Sequence, residues 1–441
     1  MTRLLALALL FIGVVSCSSS DGATRTSLSS VVDPSDQGDD SSAISVQPGP
    51  ERTTLVVTSW KGADEADSSG IPEVIASFEE EYPTIDVSLR LVTRLDSDVV
   101  LVQEIQDGNP PDVMMSDLAL TKLLADQQLL FDLGTDSAWY GRISDDLRSS
   151  LTFDGAVFMA PMKSEGMGNF VNLDLLQQVG ITEAPTTIDE LIEACGRLTA
   201  AGIKPMTFAG GFSAPLFVIA NGLADTTQSP EMFGSGMARF ADDAGFLQGI
   251  ESVRSLINAQ CFEPAEQASL DPWSVALTTF RLGEVAMMPH GGWNIPGYDL
   301  EPDLTYVVAP IPTRNEPGVV LDLLGFGWSV PSGGENAEAA RAFVDWMARP
   351  PQVQTVVEAD TGYTPFDDAT RSFSTSMAPL WDSRSEHGSI DYPFGVLQWP
   401  KPLENEIWSS MGDFLLDPSL LTNEEVLNRW DEAVAEALGS P

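Results

Sequence analysis

From residue 55 onward the apolar residues of this chain switch repeatedly between a period of two and a period of about 3.6, and this alternation restricts the fold more than any other feature. Leu55-Val56-Val57 predicts a strand, and Ile71, Val74, Ile75 and Phe78 share one face of a helix. Ile85, Val87, Leu89 and Leu91 alternate with polar residues as a second strand. A helix is expected over about 97–107, and Val113-Met114-Met115 reads as a third strand after the Pro110-Pro111 break. Strands alternating with helices imply a parallel sheet covered on both faces. Ligands of such sheets gather beyond the carboxyl ends of the strands, so the loop from Trp60 to Gly70 and the Ser116-Asp117 turn are expected to face one crevice.

The middle of the chain continues in the same style. Thr187 and Glu190 have the spacing of a capping box, and Ile188, Leu191, Ile192, Cys195 and Leu198 form an apolar stripe that stops at Gly202. A further helix is expected from Asn336 to Met347, ended by Pro350-Pro351, and a last amphipathic one from Glu424 to Leu438.

The amino terminus has a different character. Arg3 precedes an apolar run, Leu4 to Val15, too short to span a bilayer, which predicts a signal peptide over 1–16. Val14-Val15-Ser16-Cys17 resembles a bacterial lipobox, with Cys17 the acylated first residue of the mature chain. Residues 17–52 are rich in Ser, Asp, Gly and Pro and read as a disordered tether. The remainder, with 43% hydrophobic residues overall, suffices for two domains and holds no later run long enough to cross a membrane. Sixty-five acidic against 22 basic residues, a net charge of -43, disfavour nucleic acid and anionic headgroups as partners. With Cys17 acylated, Cys195 and Cys261 are left either as a disulfide in an oxidising compartment or as two buried thiols. Two histidines, His290 and His387, have neither zinc-ligand spacing nor a nucleophile context, so no metal, cofactor or catalytic residue is expected.

Several segments carry a resemblance. Gly108-Asn109-Pro110-Pro111-Asp112-Val113, the stretch from Pro161 through Phe170-Val171-Asn172 to Leu176, Pro185-Thr186-Thr187-Ile188, Ala201-Gly202-Ile203-Lys204-Pro205, Phe280 to Met288 with Gly291-Gly292-Trp293, Gly325-Phe326-Gly327-Trp328 and Thr361-Gly362-Tyr363-Thr364-Pro365 are similar, in order, to the extracellular solute-binding proteins, family 1, of sugar ABC importers. The resemblance implies an α/β, two-lobe periplasmic-binding-protein-like clamp of type II, each lobe a mostly parallel sheet flanked by helices, with hinge crossovers. It assigns 53–160 plus 325–370 to lobe one and 161–324 plus 371–441 to lobe two. It further implies a protein that binds a carbohydrate and delivers it to importer permease subunits; a monomer is expected, and with the lipobox at Cys17 the expected location is lipid-anchored to the outer face of the cell membrane.

A sugar offers hydroxyls at its rim and C–H patches on its faces, so its site needs aromatic planes and hydrogen-bonding carboxylates. Trp293 lies in the family segment that carries a stacking aromatic; Trp60, Trp328, Tyr363, Phe212 and Trp399 are further candidates. Glu165 stands where maltodextrin-binding relatives place an acid at the first lobe crossing, with Lys163 as an alternative ion-pair partner. Asp64, Glu65, Asp117 and Asp322 complete the set of possible acceptors. Two other readings stand beside this one. The acidity suits a cationic solute such as a polyamine, and two of the many carboxylates could serve a glycoside hydrolase.

Overall fold

The computed structural model describes residues 52–439 apart from 62–68, 316, 361, 367–373 and 398. The expected signal peptide, Cys17 and nearly all of the tether lie outside the described residues. The strands are β1 (Thr53–Ser59), β2 (Ile85–Leu91), β3 (Val113–Ser116), β4 (Thr152–Phe153), β5 (Ala156–Val157), β6 (Ala160–Asn172), β7 (Lys204–Met206), β8 (Val285–Gly291), β9 (Tyr306–Ala309), β10 (Leu321–Ser329) and β11 (Ile390–Asp391). β4 and β5 form a small hairpin; the other nine join one sheet in the order β2-β1-β3-β10-β6-β8-β7, with β9 beside β6 and β11 beside β10.

β1 pairs in parallel with β2 and β3, and β7 with β8, as alternating strands and helices require. At the centre β6 and β10 are antiparallel to each other, and they are antiparallel to β8 and β3 respectively. All thirteen residues of β6 are buried, so its burial has no period of two.

Two large hydrophobic cores lie along this sheet. One gathers Leu55, Val57, Phe78, Val113, Phe343 and Val353; the other gathers Leu191, Phe217, Phe246, Leu403 and Trp430. β6 contributes Ala160 and Met162 to the first core but Met167 and Val171 to the second. β10 contributes Leu321 to the second and Leu324, Phe326 and Trp328 to the first. Both strands therefore change core at the same level, and their pairing is irregular there, between Leu324 and Gly327. A bulge at such a point bends the sheet locally. A third segment reaches the same level, where Tyr363 and Ser164 exchange backbone hydrogen bonds of 2.7 and 2.9 Å. Gly362 has to be glycine in this packing, because a Cβ would run into the Lys163 side chain and the Ser164 carbonyl.

The helices follow their sequence signals with two instructive shifts. Ile71–Glu81 buries the expected Ile71, Val74, Ile75 and Phe78, and Ile188–Ala200 opens with the Thr187/Glu190 capping box. The helix expected near Ser97 begins at Arg94, because the Ser97 hydroxyl donates back to the Arg94 carbonyl inside the first turn instead of capping it. Pro350-Pro351 open a new helix, Pro350–Ala359, as well as following the one at Ala337–Met347, since the first helical position needs no backbone donor. Cys195, in the helix Ile188–Ala200, is disulfide-bonded to Cys261 beyond the helix Ala244–Asn258.

Candidate binding cleft

A cavity of about 710 Å³ opens between the two cores, with Glu165, Leu323, Leu324, Gly325 and Phe326 at its base where β6 and β10 change core. One wall comes from the first core: Trp60 just beyond β1, Arg94 and Asp98 on the helix Arg94–Gln106, and Asp117 just beyond β3. These are carboxyl ends of parallel strands, where such sheets leave room for ligands. The facing wall carries Phe212, Trp273, Trp293, Tyr392, Phe394, Lys401, Glu404 and Trp408.

The aromatic side chains support one another. Trp293 follows β8 and packs edge-on to Phe212 at 5.6 Å and tilted to Trp273 at 5.8 Å between ring centroids. Gly291 makes this possible, since a Cβ there would collide with the Trp293 ring. His290 lies fully buried behind these rings, 5.0 Å from Trp293 and 4.8 Å from Phe212, and burial pushes its pKa down to about 4. Trp273 is presented by a turn in which its backbone N–H donates to Asp271 at 2.8 Å. Across the cavity the Arg94 guanidinium covers the Trp60 ring at 4.8 Å.

A network of charges joins the walls. Arg94 bonds Asp117 at 2.5 Å and Asp98 at 3.1 Å, while Lys401 bonds Glu404 at 2.7 Å and Asp98 at 3.0 Å and lies 3.9 Å from Asp117. Asp117 also caps the helix Leu118–Asp126, its Oδ1 accepting from the Leu120 N–H. Burial opposes the charge on Asp117, but Lys401 and Arg94 outweigh it and hold the carboxyl below the usual range. Burial dominates at Glu404 and raises its pKa in spite of Lys401.

Glu165 is 4% exposed and paired with Lys163 at 2.9 Å through Oε1. Lys163 also binds Asp360, at 2.6 Å, and Asp360 in turn takes Lys61 at 2.9 Å. Glu165 Oε2 has no hydrogen-bond partner among the described residues. The four carboxylates that line the cavity among the described residues, Asp98, Asp117, Glu165 and Glu404, each lie beside a cation.

A cleft of this kind, between two α/β cores joined by exchanged strands, has counterparts. Residues 62–354 match the family described as bacterial extracellular solute-binding protein. The chain belongs to that family.

A maltotriose-binding protein of Pyrococcus abyssi (strain GE5 / Orsay) is 22% identical to this solute-binding protein over 398 residues, 82% of this chain and 79% of the relative. The GacH receptor of Streptomyces glaucescens GLA.O, solved unliganded and with acarbose and an acarbose homolog, superposes with a TM-score of 0.71 at 18% identity, covering 88% of this chain and 98% of that one. An ABC transporter solute-binding protein from Thermotoga lettingae TMO, bound with α-D-tagatose, superposes at 0.73 and 18% identity, covering 88% and 100%. The fold is the two-lobe α/β clamp. Membership in an extracellular family implies export, and among the described residues no helix is long and apolar enough to cross a membrane.

Within this solute-binding protein Trp60, Asp117, Glu165, Phe212 and Trp293 meet at one cavity. Four other candidates lie elsewhere. Trp328 is fully buried in the first core, edge-on to Phe326 and Phe343. Trp399 is buried among Phe240, Phe246 and Phe394 and donates to the Pro230 carbonyl at 3.0 Å. Asp322 is clamped by Arg384 at 2.6 Å and by the Ser389 hydroxyl at 2.6 Å, tying the helix Ala378–His387 to β10. Tyr363 packs on Trp381, with its hydroxyl 3.4 Å from the Glu165 carbonyl, behind the cavity. Trp328 and Asp322 lie within β10, and Trp328, Trp399 and Tyr363 each have a glycine or proline neighbour, so local sequence does not distinguish these core residues from cleft residues. Asp64 and Glu65 lie outside the described residues. Sequence reasoning missed Trp273, Arg94, Lys401, Glu404 and Trp408. The Asp271-Pro272-Trp273 turn and the Pro400-Lys401-Pro402 helix start were the available signals.

Among the described residues no group of His, Cys, Asp and Glu is arranged to hold a metal ion.

Proposed function

We propose that this solute-binding protein captures a carbohydrate between its lobes and delivers it to the permease of an ABC importer, acting as a monomer held at the membrane by lipid on Cys17. The observation that carries this reading is the meeting of aromatic planes with cation-oriented carboxylates in one cavity: Trp293, Trp273 and Phe212 on one wall, Trp60 on the other, and Glu165 at the base. Aromatic faces suit the C–H faces of a sugar ring, and a carboxylate oxygen with no partner among the described residues, Glu165 Oε2, suits its hydroxyls. The names of the maltotriose- and tagatose-binding relatives support the same substrate class. We assign residues 53–160 and 325–370 to one lobe and 161–324 and 371–441 to the other; the change of core along β6 and β10 lies close to these bounds, with Met162 and Leu324 still packed in the first core.

A polyamine fits less well, because Asp98, Asp117, Glu165 and Glu404 already have Arg94, Lys401 and Lys163 beside them. Calorimetry of the purified protein against monosaccharides, oligosaccharides and spermidine tests the reading. Saturable binding of a sugar is expected. Binding of spermidine with no response to any sugar would overturn it, and turnover of oligosaccharides or chromogenic glycosides would overturn the binding-only role. For the anchor, Cys17→Ser is expected to release the protein from the membrane fraction.

A further inference from the structure

Lys401 is placed against local electrostatic preference. It opens the sixteen-residue helix Lys401–Leu416, at the end where the helix dipole and unbonded N–H groups favour anions. Its carbon stem is nonetheless drawn in, leaving the side chain 14% exposed, and its ammonium is met from two directions. Glu404, one turn along the same helix, lies 2.7 Å away. Asp98, 3.0 Å away, belongs to the helix Arg94–Gln106 on the opposite wall, and Asp117, at 3.9 Å, caps another helix of that wall. The two walls pack into different cores: Leu403, Ile407 and Met411 belong to the second, whereas Leu101, Ile105, Leu120 and Leu124 form a cluster beside the first.

A contact between groups rooted in different cores exists only while the walls are close. Opening the cleft would expose Asp98 and Asp117 to Arg94 alone and leave Lys401 with Glu404. The carboxylates around it outweigh burial and hold the Lys401 ammonium above its ordinary range, so it stays charged throughout neutral pH.

We propose that Lys401 is a positioning residue that ties the two walls of the cleft, so that capture of an uncharged ligand depends on ionic strength. The inference rests on capture of a sugar by lobe closure. Apparent affinity scales with the fraction of molecules in the binding-competent closed arrangement, and a charge-assisted tie present only in that arrangement raises the fraction.

The experiment measures sugar affinity by calorimetry, and radius of gyration without sugar by small-angle scattering, from about 0.1 M to about 1 M sodium chloride, which shortens the Debye length from about 10 Å to about 3 Å. For the wild type, salt should weaken binding several-fold and expand the molecule. Lys401→Met should bind about tenfold more weakly at low salt and lose the salt response in both measurements, while Lys401→Arg should keep it. If Lys401→Met does not fold, Asp98→Asn removes the tie from the other wall and should give the same pattern. Equal salt responses in wild type and the tie-less variant, or unchanged affinity in that variant, would overturn the tie. Should no sugar bind, the carbohydrate reading fails, and the scattering arm still decides whether Lys401 holds the walls together.

Discussion

Lys163 and Glu165, two positions apart on β6, form a 2.9 Å ion pair at the level where that strand leaves one hydrophobic core for the other. Lys163 is wholly shielded and also serves Asp360, so a single ammonium compensates carboxylates from two segments. Removing one partner of a buried pair strands the other charge, whereas removing both restores balance. Lys163→Met is expected to destabilise the protein by about 3–5 kcal/mol in urea unfolding. Combining it with Glu165→Leu should recover part of that loss; a double variant no better than the single one would show that the pair is not the source.

Trp293 should be the strongest single aromatic contributor to ligand affinity. It lines the cavity together with Phe212 and Trp273, which pack against its ring. Truncating such an anchor costs about 2 kcal/mol or more, roughly thirtyfold in Kd. Calorimetry on Trp293→Ala with the sugar found by screening checks this, and an unchanged Kd removes Trp293 from the site. Trp328→Phe, which alters the first core instead, is expected to lower stability with a much smaller change in Kd.

The disulfide closes a long loop, Cys195 and Cys261 being 66 residues apart. Chain-entropy arguments put its contribution at about 4 kcal/mol. Thermal unfolding with and without reductant should show a lower Tm on reduction, and Cys195→Ala with Cys261→Ala should match the reduced protein. Identical melting in the two conditions would contradict this.

His290 makes stability depend on acid. Its folded-state pKa of about 4 lies below that of an unfolded histidine, about 6.5, so between these values the unfolded chain binds a proton that the folded one refuses. The stabilisation is present above pH 6.5 and is lost as pH falls through the folded value, amounting to about 3 kcal/mol. His290→Gln, which can keep a donor toward the Pro272 carbonyl, should flatten unfolding free energy over that window relative to wild type. Equal slopes in the two proteins would exclude His290 as the titrating group.

The amino-acid sequence alone was enough for the strand–helix alternation around β1 to β3, the capping box at Thr187, the glycine-supported Trp293 and the order of family motifs, because these signals are local: each depends on residues within a turn or two of chain. It also carried Trp60 and Asp117 to the cleft, through the rule that ligands sit beyond parallel strand ends. The tertiary structure decided the rest. Trp328 and Trp399 share the glycine- or proline-flanked setting of Trp293, yet burial among Phe343 in one case and Phe240 in the other makes them core. β6, buried along its whole length, shows no alternation from which its antiparallel pairing or its change of core could be read. The Arg94–Asp117–Lys401 network draws on residues hundreds of positions apart, and no local period records which charges a fold will bring face to face.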